Sequence, residues 1–444
     1  MYSIKPETRY ATATTLGCRL NQTDTAIIFA ELKKAGFEIE KPDTDKELSI
    51  IIINTCAVTS SASQKSRQYT RALKEKYPAA KIIVTGCDVE IDKEKWHAET
   101  CADIIIPNTD KANILKYIKV LFPELHEEDK NTDSSDRNFS FGSTGYFPFK
   151  SRANIKIQDG CNAYCTYCIV PYGRGNPRSR QWDNTLKEFN ELLKKGYKEI
   201  ILTGVNIATY NDKGRNLINL CNEMCSFDGE YKIRLGSTEP QFDMQGLIEL
   251  IASNNKLCRF LHLPLQHGSD NILQKMGRSY KKESFANFVR SATEKIPDIC
   301  IGTDIITGFP GETDKDFDDS LKFISSLPIS YLHVFKYSKR KGTPAADYPQ
   351  QVHSKISEER RQMLSELGET LSKRFMESQK GKTASAILET YKKGIISGWT
   401  DNYIKVSIPD SMIKGDNYKN LLGTIVKVKL LTPLRHREMS AALL

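Results

Sequence analysis

Residues 158–168 read Gln-Asp-Gly-Cys-Asn-Ala-Tyr-Cys-Thr-Tyr-Cys, which places three cysteines close together at 161, 165 and 168. The stretch follows a strand-like run at 153–157, so the thiols are predicted to lie in a loop at the carboxyl end of a strand. A 4Fe–4S cluster normally takes four thiolate ligands. Three cysteines at C-x3-C-x2-C spacing therefore predict a cluster with one iron left open for a small molecule. A zinc knuckle or buried thiols is the alternative, but zinc requires a fourth nearby ligand and none is obvious in the sequence.

Outward from this loop, residues 146–378 alternate short apolar runs with helical ones. Strands are predicted at 153–157, 199–202, 232–235, 260–263, 300–306 and 331–335. Six βα-like units predict a partial (βα)6 barrel of parallel strands, with its chemistry at the strand carboxyl ends. A charged helix is predicted over 358–379.

The N-terminal residues 9–125 have the same rhythm of strands and helices. Predicted strands at 10–16, 48–53 and 81–84 are each followed within two or three residues by a cysteine, Cys18, Cys56 and Cys87. Parallel strands end at one edge of an open α/β sheet, and ligands bind at that edge. We therefore expect the three thiols to converge. Three unrelated buried cysteines would be the alternative, which their recurrence at three strand ends disfavours.

The segments on either side of the central region differ from it in composition. Residues 126–145 are polar and poor in apolar residues, and they are predicted to be a linker. Residues 380–444 contain four short β-type runs, at 385–389, 394–399, 403–407 and 423–431, with Gly, Asn and Asp between them. These runs predict a small β-barrel. The predicted fold class is α/β: an open parallel-sheet domain (9–125), a partial barrel (146–378) and a C-terminal β-barrel (380–444).

Composition is consistent with a globular protein of several domains. The chain has 444 residues, a formal net charge of +9 and no apolar run long enough to span a bilayer. Because no signal-peptide pattern opens the sequence, we expect a cytoplasmic protein. The 11 cysteines are an odd number, so disulfides cannot account for all of them. Those outside the two triads, Cys101, Cys221, Cys225, Cys258 and Cys300, are interpreted as structural.

The triad Cys161, Cys165 and Cys168, with Tyr167 before its last cysteine, resembles the radical S-adenosylmethionine superfamily. The chain as a whole has Cys18, Cys56 and Cys87 before this triad and a β-module after it. In this order of parts it resembles the methylthiotransferases along nearly its whole length. This resemblance implies two 4Fe–4S clusters, one on each triad, and S-adenosylmethionine as cofactor. It also implies a C-terminal TRAM domain that binds RNA. One S-adenosylmethionine would supply a methyl group and a second a 5′-deoxyadenosyl radical, so that a carbon–hydrogen bond becomes a carbon–SCH₃ bond.

Two motifs separate the subfamilies of methylthiotransferases. Residues 15–25 (TLGCRLNQTDT) and 54–59 (NTCAVT), with Lys65-Ser66-Arg67, resemble the subfamily that modifies carbon-2 of threonylcarbamoyladenosine at position 37 of tRNA. The subfamily acting on isopentenyladenosine typically has Gln-Met after the first cysteine, which this chain lacks. That subfamily, and the one acting on an aspartate of a ribosomal protein, are the alternatives. A passive iron–sulfur or RNA-binding protein is a third. His267 departs from the small residue common in the family.

Several further residues at predicted strand ends are candidates for holding the cofactor. Arg234 could pair with its carboxylate and Glu239 could accept from ribose hydroxyls. The candidate cofactor-binding residues are Tyr167, Gly204, Arg234, Ser237, Glu239, Gln266, Thr303 and Asp304.

Basic residues mark two candidate RNA-binding segments, one after the triad and one at the end of the chain. They are Arg174, Arg178, Arg180, Lys427, Arg435 and Arg437. A solvated basic loop is the alternative for the first segment. The expected partners are a tRNA anticodon stem-loop and an electron donor of the flavodoxin or ferredoxin type. We expect no membrane partner and a monomeric protein.

Overall fold

The computed structural model describes residues 8–125, 147, 151–240, 244–413, 418–435 and 437–444. The predicted linker at 126–145 lies outside these residues. The chain divides into two compact units. The first contains residues 1–149, 159–163 and 168–180, and the second contains 150–158, 164–167 and 181–444. None of the described helices is long and apolar enough to cross a membrane.

The first unit is built on a five-stranded parallel sheet in the order β2-β1-β3-β4-β5. Its central strand β3 contains four consecutive isoleucines, Ile50–Ile53, that are fully buried, as expected for a parallel strand covered on both faces. The strands are β1 (Tyr10–Thr15), β2 (Glu38–Ile39), β3 (Leu48–Thr55), β4 (Lys81–Gly86) and β5 (Ile104–Ile105). The helices are α1 (Arg19–Lys34), α2 (Ser60–Lys76), α3 (Cys87–Ile91), α4 (Lys93–Glu99) and α5 (Ile114–Leu121).

The cysteine-rich loop lies between the first barrel strand and the second. Strands β6 (Arg152–Lys156) and β7 (Gln158–Asp159) precede the loop. Helix α6 (Val170–Arg174) and strand β8 (Arg178–Ser179) follow it. Within the first unit, Gly160 directly precedes Cys161 and has a left-handed φ of +73°. A Cβ there would lie 2.0 Å from the carbonyl oxygen of Asn176, so only glycine fits this turn.

The second unit contains six parallel strands that neighbour one another in the order β6-β9-β12-β13-β14-β15. This is the predicted partial (βα)6 barrel. The short strands β10 (Asn211–Asp212) and β11 (Arg215–Asn216) form a separate antiparallel pair. The further strands of the barrel are β9 (Glu199–Thr203), β12 (Lys232–Leu235), β13 (Phe260–His262), β14 (Cys300–Thr307) and β15 (Tyr331–Lys336). Its helices are α7 (Trp182–Lys194), α8 (Leu217–Ser226), α9 (Met244–Ser253), α10 (Asp270–Lys275), α11 (Lys282–Lys295), α12 (Asp314–Ser325) and α13 (Ser354–Gln379).

The C-terminal part of the second unit is a closed five-stranded β-barrel in the order β16-β17-β18-β20-β19. Its strands are β16 (Thr383–Lys392), β17 (Ile395–Thr400), β18 (Lys405–Pro409), β19 (Ile425–Arg435) and β20 (Glu438–Leu443), with the short helix α14 (Tyr418–Leu421). The sequence pattern predicted four of these strands and missed β20. That last strand closes the barrel by pairing with β18 in parallel and with β19 antiparallel.

Candidate functional site

Three cysteines of the first unit lie at one edge of its sheet. Cys18 precedes helix α1 after strand β1, Cys56 directly follows β3, and Cys87 directly follows β4. Strands β1, β3 and β4 are adjacent, so their carboxyl ends lie side by side. Burial raises the pKa of the Cys56 thiol, and the neighbouring thiols Cys18 and Cys87 raise it further. The predicted convergence of these thiols is therefore present in the fold.

The turn before Cys18 packs directly against Cys56. Gly17 has a φ of +104°, and a Cβ on it would lie 2.6 Å from both the Cβ and the Sγ atom of Cys56. Real Cβ atoms do not approach so closely, so any other residue would push the two cysteine loops apart. The Thr-Leu-Gly-Cys motif thus has a steric explanation.

Buried amides connect the cysteine-bearing loops to one another. Asn21 Nδ2 donates to the backbone oxygens of Leu16 (2.9 Å) and Thr55 (2.8 Å). Asn54 Nδ2 donates to the backbone oxygen of Asn21 at 2.9 Å. Thr55 Oγ1 donates to the backbone oxygen of Thr85 at 2.8 Å. These bonds fix the three loops relative to one another without using the thiols.

A buried guanidinium lies within reach of this edge. Arg174 is 3% exposed, and it donates to Asp159 Oδ1 (2.9 Å), Asp24 Oδ2 (3.2 Å) and Asn21 Oδ1 (2.5 Å). Burial alone would lower the pKa of Arg174, but Cys87, Asp159 and Asp24 more than offset it and raise the pKa. The prediction that Arg174 binds RNA phosphates is therefore wrong, because its donors are occupied inside the first unit.

The donor set at this edge fits an iron–sulfur cluster. Burial raises the pKa of the Cys56 thiol to about 11 and also raises that of Cys87, so a metal must displace their protons to bind. Soft thiolates are the ligands that iron–sulfur clusters take. The Arg174 guanidinium, together with Lys111, which is paired with Asp24, would offset the negative charge of such a cluster.

The three cysteines of the central loop differ in their surroundings. Cys165 is buried, whereas Cys161 and Cys168 are partly exposed. Within the first unit, Cys161 Sγ accepts from the backbone N–H of Ala163 at 3.4 Å. Within the second unit, Cys165 Sγ accepts from Arg278 at 3.3 Å. A thiol that already accepts hydrogen bonds is prepared to carry negative charge, as a cluster ligand does.

Arg278 is a functional candidate that the sequence reasoning missed. Its guanidinium is almost fully buried, lies beside Cys165 and is also paired with Glu239. Tyr280 accepts from the same guanidinium at 2.9 Å and donates to the backbone oxygen of Pro264 at 2.8 Å. Arg278 lies 113 residues after Cys165, so no local spacing could have indicated the contact. Glu239 therefore holds Arg278, and this pairing limits its availability to a ribose.

The other candidate cofactor residues divide into two groups. Gln266 has a left-handed φ of +71°, a strained conformation of the kind kept at functional sites. Its backbone N–H donates to the Asp304 carbonyl and its own carbonyl accepts from the Ile306 N–H, both in β14. Asp304 faces two histidines, and Ser237 Oγ bonds His262 Nδ1 at 2.9 Å. Gln266, Ser237 and Asp304 therefore remain candidates for binding the cofactor, because each offers a polar or strained group.

Packing accounts for three further candidates. A Cβ on Gly204 would lie 2.9 Å from two oxygens of Gln158, so this glycine is required for packing. Thr303 Oγ1 is bonded to the backbone of Leu263 (2.6 Å) and Leu265 (3.0 Å) and is fully buried. Tyr167 packs on the apolar cluster around Met276 and Phe309.

Arg234 has a structural position that corrects its proposed role. It is 0% exposed, and it pairs with Glu199 at 2.8 and 2.9 Å while donating to the backbone oxygens of Thr400 and Asp401. These contacts connect strand β12 of the partial barrel to the end of β17 in the C-terminal barrel. With its donors used in this way, Arg234 is not free to bind a cofactor carboxylate.

The remaining basic candidates differ in exposure. Arg180 is 3% exposed, so the prediction that it contacts RNA is wrong. The Arg437 guanidinium lies over the Tyr331 ring, 4.2 Å from the ring centroid. This side chain therefore also points towards the protein and not towards solvent. Arg435 is largely exposed beside Glu438, Lys427 is exposed, and Arg178 is 36% exposed. Only these last three present charge to solvent.

Comparison with known families defines the class. Residues 155–324 match the Radical SAM superfamily, and residues 10–107 match the uncharacterized protein family UPF0004. The chain is thus a radical SAM enzyme with a second, N-terminal family domain. These two matched regions contain the cysteines of the central loop and of the sheet edge, respectively.

Curated relatives define the family within that class. The chain is 34% identical over 431 residues to the threonylcarbamoyladenosine tRNA methylthiotransferase MtaB of Bacillus subtilis, covering 94% of this chain and 92% of that protein. It is 34% identical to MtaB of Aquifex aeolicus, covering 93% and 98%. A tRNA-2-methylthio-N(6)-dimethylallyladenosine synthase of Natranaerobius thermophilus is also 34% identical, covering 94% and 93%. The chain belongs to the family of tRNA methylthiotransferases.

Solved structures support the fold. The cobalamin-bound radical S-adenosylmethionine methyltransferase TsrM of Kitasatospora setae superposes with a TM-score of 0.53 at 15% identity, covering 77% of each chain. The cobalamin-dependent radical enzyme OxsB superposes with a TM-score of 0.50 at 13% identity, covering 84% of this chain and 56% of that one. At these identities the similarity concerns architecture alone.

Proposed function

We propose that this protein transfers a methylthio group to carbon-2 of threonylcarbamoyladenosine at position 37 of tRNA. The observation that carries the proposal is the convergence of Cys18, Cys56 and Cys87 at one sheet edge, in addition to the central cysteine loop. A radical enzyme that only cleaves S-adenosylmethionine has no need of a second set of three thiolates. A sulfur-inserting enzyme does.

Two groups of residues would hold the cofactors. Cys161, Cys165 and Cys168 would hold the 4Fe–4S cluster that binds S-adenosylmethionine, and the sheet-edge cysteines would hold a second 4Fe–4S cluster. When bound, these groups would supply a carbon-centred radical, a methyl group and sulfur. The chain's own contribution is to neutralise and position them: Arg174 beside the sheet edge and Arg278 beside Cys165.

The choice of threonylcarbamoyladenosine rests on the sequence around the sheet-edge cysteines. The segments Thr15–Thr25 and Asn54–Thr59 carry the pattern of that subfamily, and relatives named for that substrate come from four bacteria. Isopentenyladenosine is the second candidate, because relatives named for a dimethylallyladenosine product reach the same 34% identity.

RNA binding is proposed for the exposed cations Arg178, Lys427 and Arg435, with the TRAM domain beginning at about residue 380. Such contacts to phosphates would position the tRNA without reading its sequence. The target adenosine would leave its stack to enter the site. We further propose that the protein works as a monomer in the cytoplasm and takes electrons from a flavodoxin- or ferredoxin-type donor.

The test is an anaerobic assay on the reconstituted full chain with reductant and S-adenosylmethionine. Two tRNAs are supplied, one carrying threonylcarbamoyladenosine and one isopentenyladenosine, and nucleosides are analysed by mass spectrometry. We expect the methylthio product from the first tRNA alone. Product from the second alone would assign the sister activity, and 5′-deoxyadenosine without either product would overturn both.

Matched cysteine variants separate the two triads. Cys56→Ala should lower bound iron from about eight to about four per chain and abolish the methylthio product while 5′-deoxyadenosine still forms. Cys101→Ala is the control, because Cys101 is an exposed thiol of the same unit that belongs to neither triad. Unchanged iron and product in Cys56→Ala would contradict the proposal.

A further inference from the structure

Two imidazoles and a carboxylate meet on one face of three adjacent barrel strands. His262 ends β13, Asp304 lies in β14 and His333 lies in β15. Asp304 pairs in register with His333, and His262 pairs with Gly302, two residues before Asp304. Because side chains alternate along a strand, this register places all three on the same face.

Their ligand atoms are close enough to share one ion. His262 Nε2 lies 3.1 Å from Asp304 Oδ1, and His333 Nδ1 lies 3.3 Å from the same oxygen. The three atoms all lie within 4.8 Å of one another. Nitrogen and oxygen donors placed about 2.0–2.1 Å from a tetrahedral zinc ion would be about 3.3 Å apart, so the two distances to Asp304 Oδ1 match those of a metal site.

An ordinary histidine–carboxylate hydrogen bond does not account for this arrangement. His262 Nε2 and Asp304 Oδ1 are both buried, and neither makes a hydrogen bond to any described part of the chain despite their separation of 3.1 Å. Buried polar atoms without a partner are costly and call for an explanation. A cation between the two atoms would satisfy both.

The surroundings of the three side chains favour a cation. Ser237 Oγ bonds His262 Nδ1 at 2.9 Å, which orients the ring and leaves Nε2 for a ligand. Metal-bound histidines are usually held in this way through their second nitrogen. His333 is 42% exposed, which gives an ion a way in.

We propose that His262, Asp304 and His333 form a binding site for one divalent first-row transition-metal ion, separate from the cysteine sites. Two histidines and one carboxylate are a set that both zinc and ferrous iron accept, with further coordination positions left open. The proposal concerns the barrel alone and does not depend on which tRNA nucleoside is the substrate.

The test uses the full chain with its iron–sulfur clusters reconstituted, and Zn²⁺ as the probe. After one equivalent of Zn²⁺ and desalting, zinc per chain is measured by mass spectrometry and its ligands by X-ray absorption at the zinc edge. We expect about one zinc per chain, with a nitrogen and oxygen shell at about 2.0–2.1 Å. A sulfur shell at about 2.3 Å would instead place the zinc on cysteines and overturn the proposal.

Three variants and one control assign the ligands. Asp304→Asn and His262→Gln should each weaken zinc binding at least tenfold, with iron content unchanged. His333→Gln, at a half-exposed position, covers the case in which a buried variant fails to fold. His97→Gln replaces an exposed histidine and should bind zinc as the parent does. Equal zinc binding by His333→Gln and the parent, or no retained zinc in the parent, would refute the site whether or not the preparation methylthiolates tRNA.

Discussion

The guanidinium of Arg278 donates a 3.3 Å hydrogen bond to Cys165 Sγ while the same group is paired with Glu239. A positive charge beside a cluster ligand favours the more negative, reduced state. We predict that Arg278→Met lowers the reduction potential of the central cluster. A difference of about 1 kcal/mol between the redox states corresponds to roughly 45 mV for one electron. Redox titration followed by electron paramagnetic resonance measures it.

A second variant separates this effect from misfolding. Arg278→Met leaves the partly buried carboxylate of Glu239 without its partner, which is itself destabilising. The double variant with Glu239→Gln removes that charge, so stability should recover while the lower potential persists. A potential that returns to the parent value with stability would show that Arg278 acts on folding only.

The contact between Gly17 and Cys56 predicts an unequal pair of glycine variants. Gly17→Ala and Gly36→Ala both introduce a Cβ at positive φ, which costs about 1–3 kcal/mol. Only at Gly17 would the new Cβ collide, since nothing lies within 4 Å of a Cβ at Gly36. We expect about 1–3 kcal/mol of further destabilisation and loss of the second cluster in Gly17→Ala alone. Denaturant unfolding and iron analysis test this, and equal behaviour of both variants would contradict it.

Burial of Arg174 makes its replacement costly. Arg174→Met should destabilise the protein by about 3–5 kcal/mol, because Asp24 and Asp159 would remain buried without this partner. Arg178→Met removes a half-exposed cation nearby and should cost no more than about 1 kcal/mol. Urea unfolding of both variants gives the comparison. A loss of tRNA affinity without loss of stability in Arg174→Met would restore its earlier interpretation as a phosphate contact.

Asp316 makes part of the stability dependent on pH. Burial alone would raise its pKa, but bonds from Ser269, Thr313 and Asn271 lower it to about 2. The unfolded chain, with a pKa of about 3.9, therefore binds more protons in this range. Asp316 should contribute about 1–2 kcal/mol above pH 4, lost as the pH falls from about 4 to about 2.

Unfolding of Asp316→Asn at several pH values tests this. The variant should lose stability at neutral pH and lose less on acidification than the parent. Asp318→Asn, at an exposed position of the same helix, should follow the parent curve. Parallel curves for the parent and Asp316→Asn would refute the assignment.

Strand periodicity was sufficient to predict most of the fold. The six barrel strands and the three strands that lead to Cys18, Cys56 and Cys87 all form within two residues of their predicted bounds. Buried parallel strands are continuous apolar runs, and such runs are visible in a single sequence. Strand β20 was missed because its residues, Glu438–Leu443, include no β-branched or aromatic residue, the types that are enriched in strands.

The side-chain partners could not be predicted in the same way. Arg174, Arg180 and Arg234 look like ligand-binding cations in the sequence, yet all three are buried. Arg234 lies 35 residues from Glu199 and 167 from Asp401, so its contacts depend on the folded structure. The same holds for the meeting of His262, Asp304 and His333, which follows from strand register and not from any local motif.

The two sets of three cysteines differ in when they can exist during synthesis. Cys161, Cys165 and Cys168 are neighbours in the chain, so a short emerging loop already contains all of them. Cys18, Cys56 and Cys87 come together only after helices α1 and α2 have crossed over and strands β1, β3 and β4 have paired. The sheet edge can therefore bind iron only after the N-terminal unit has folded, so metal delivery to these three thiols must follow folding.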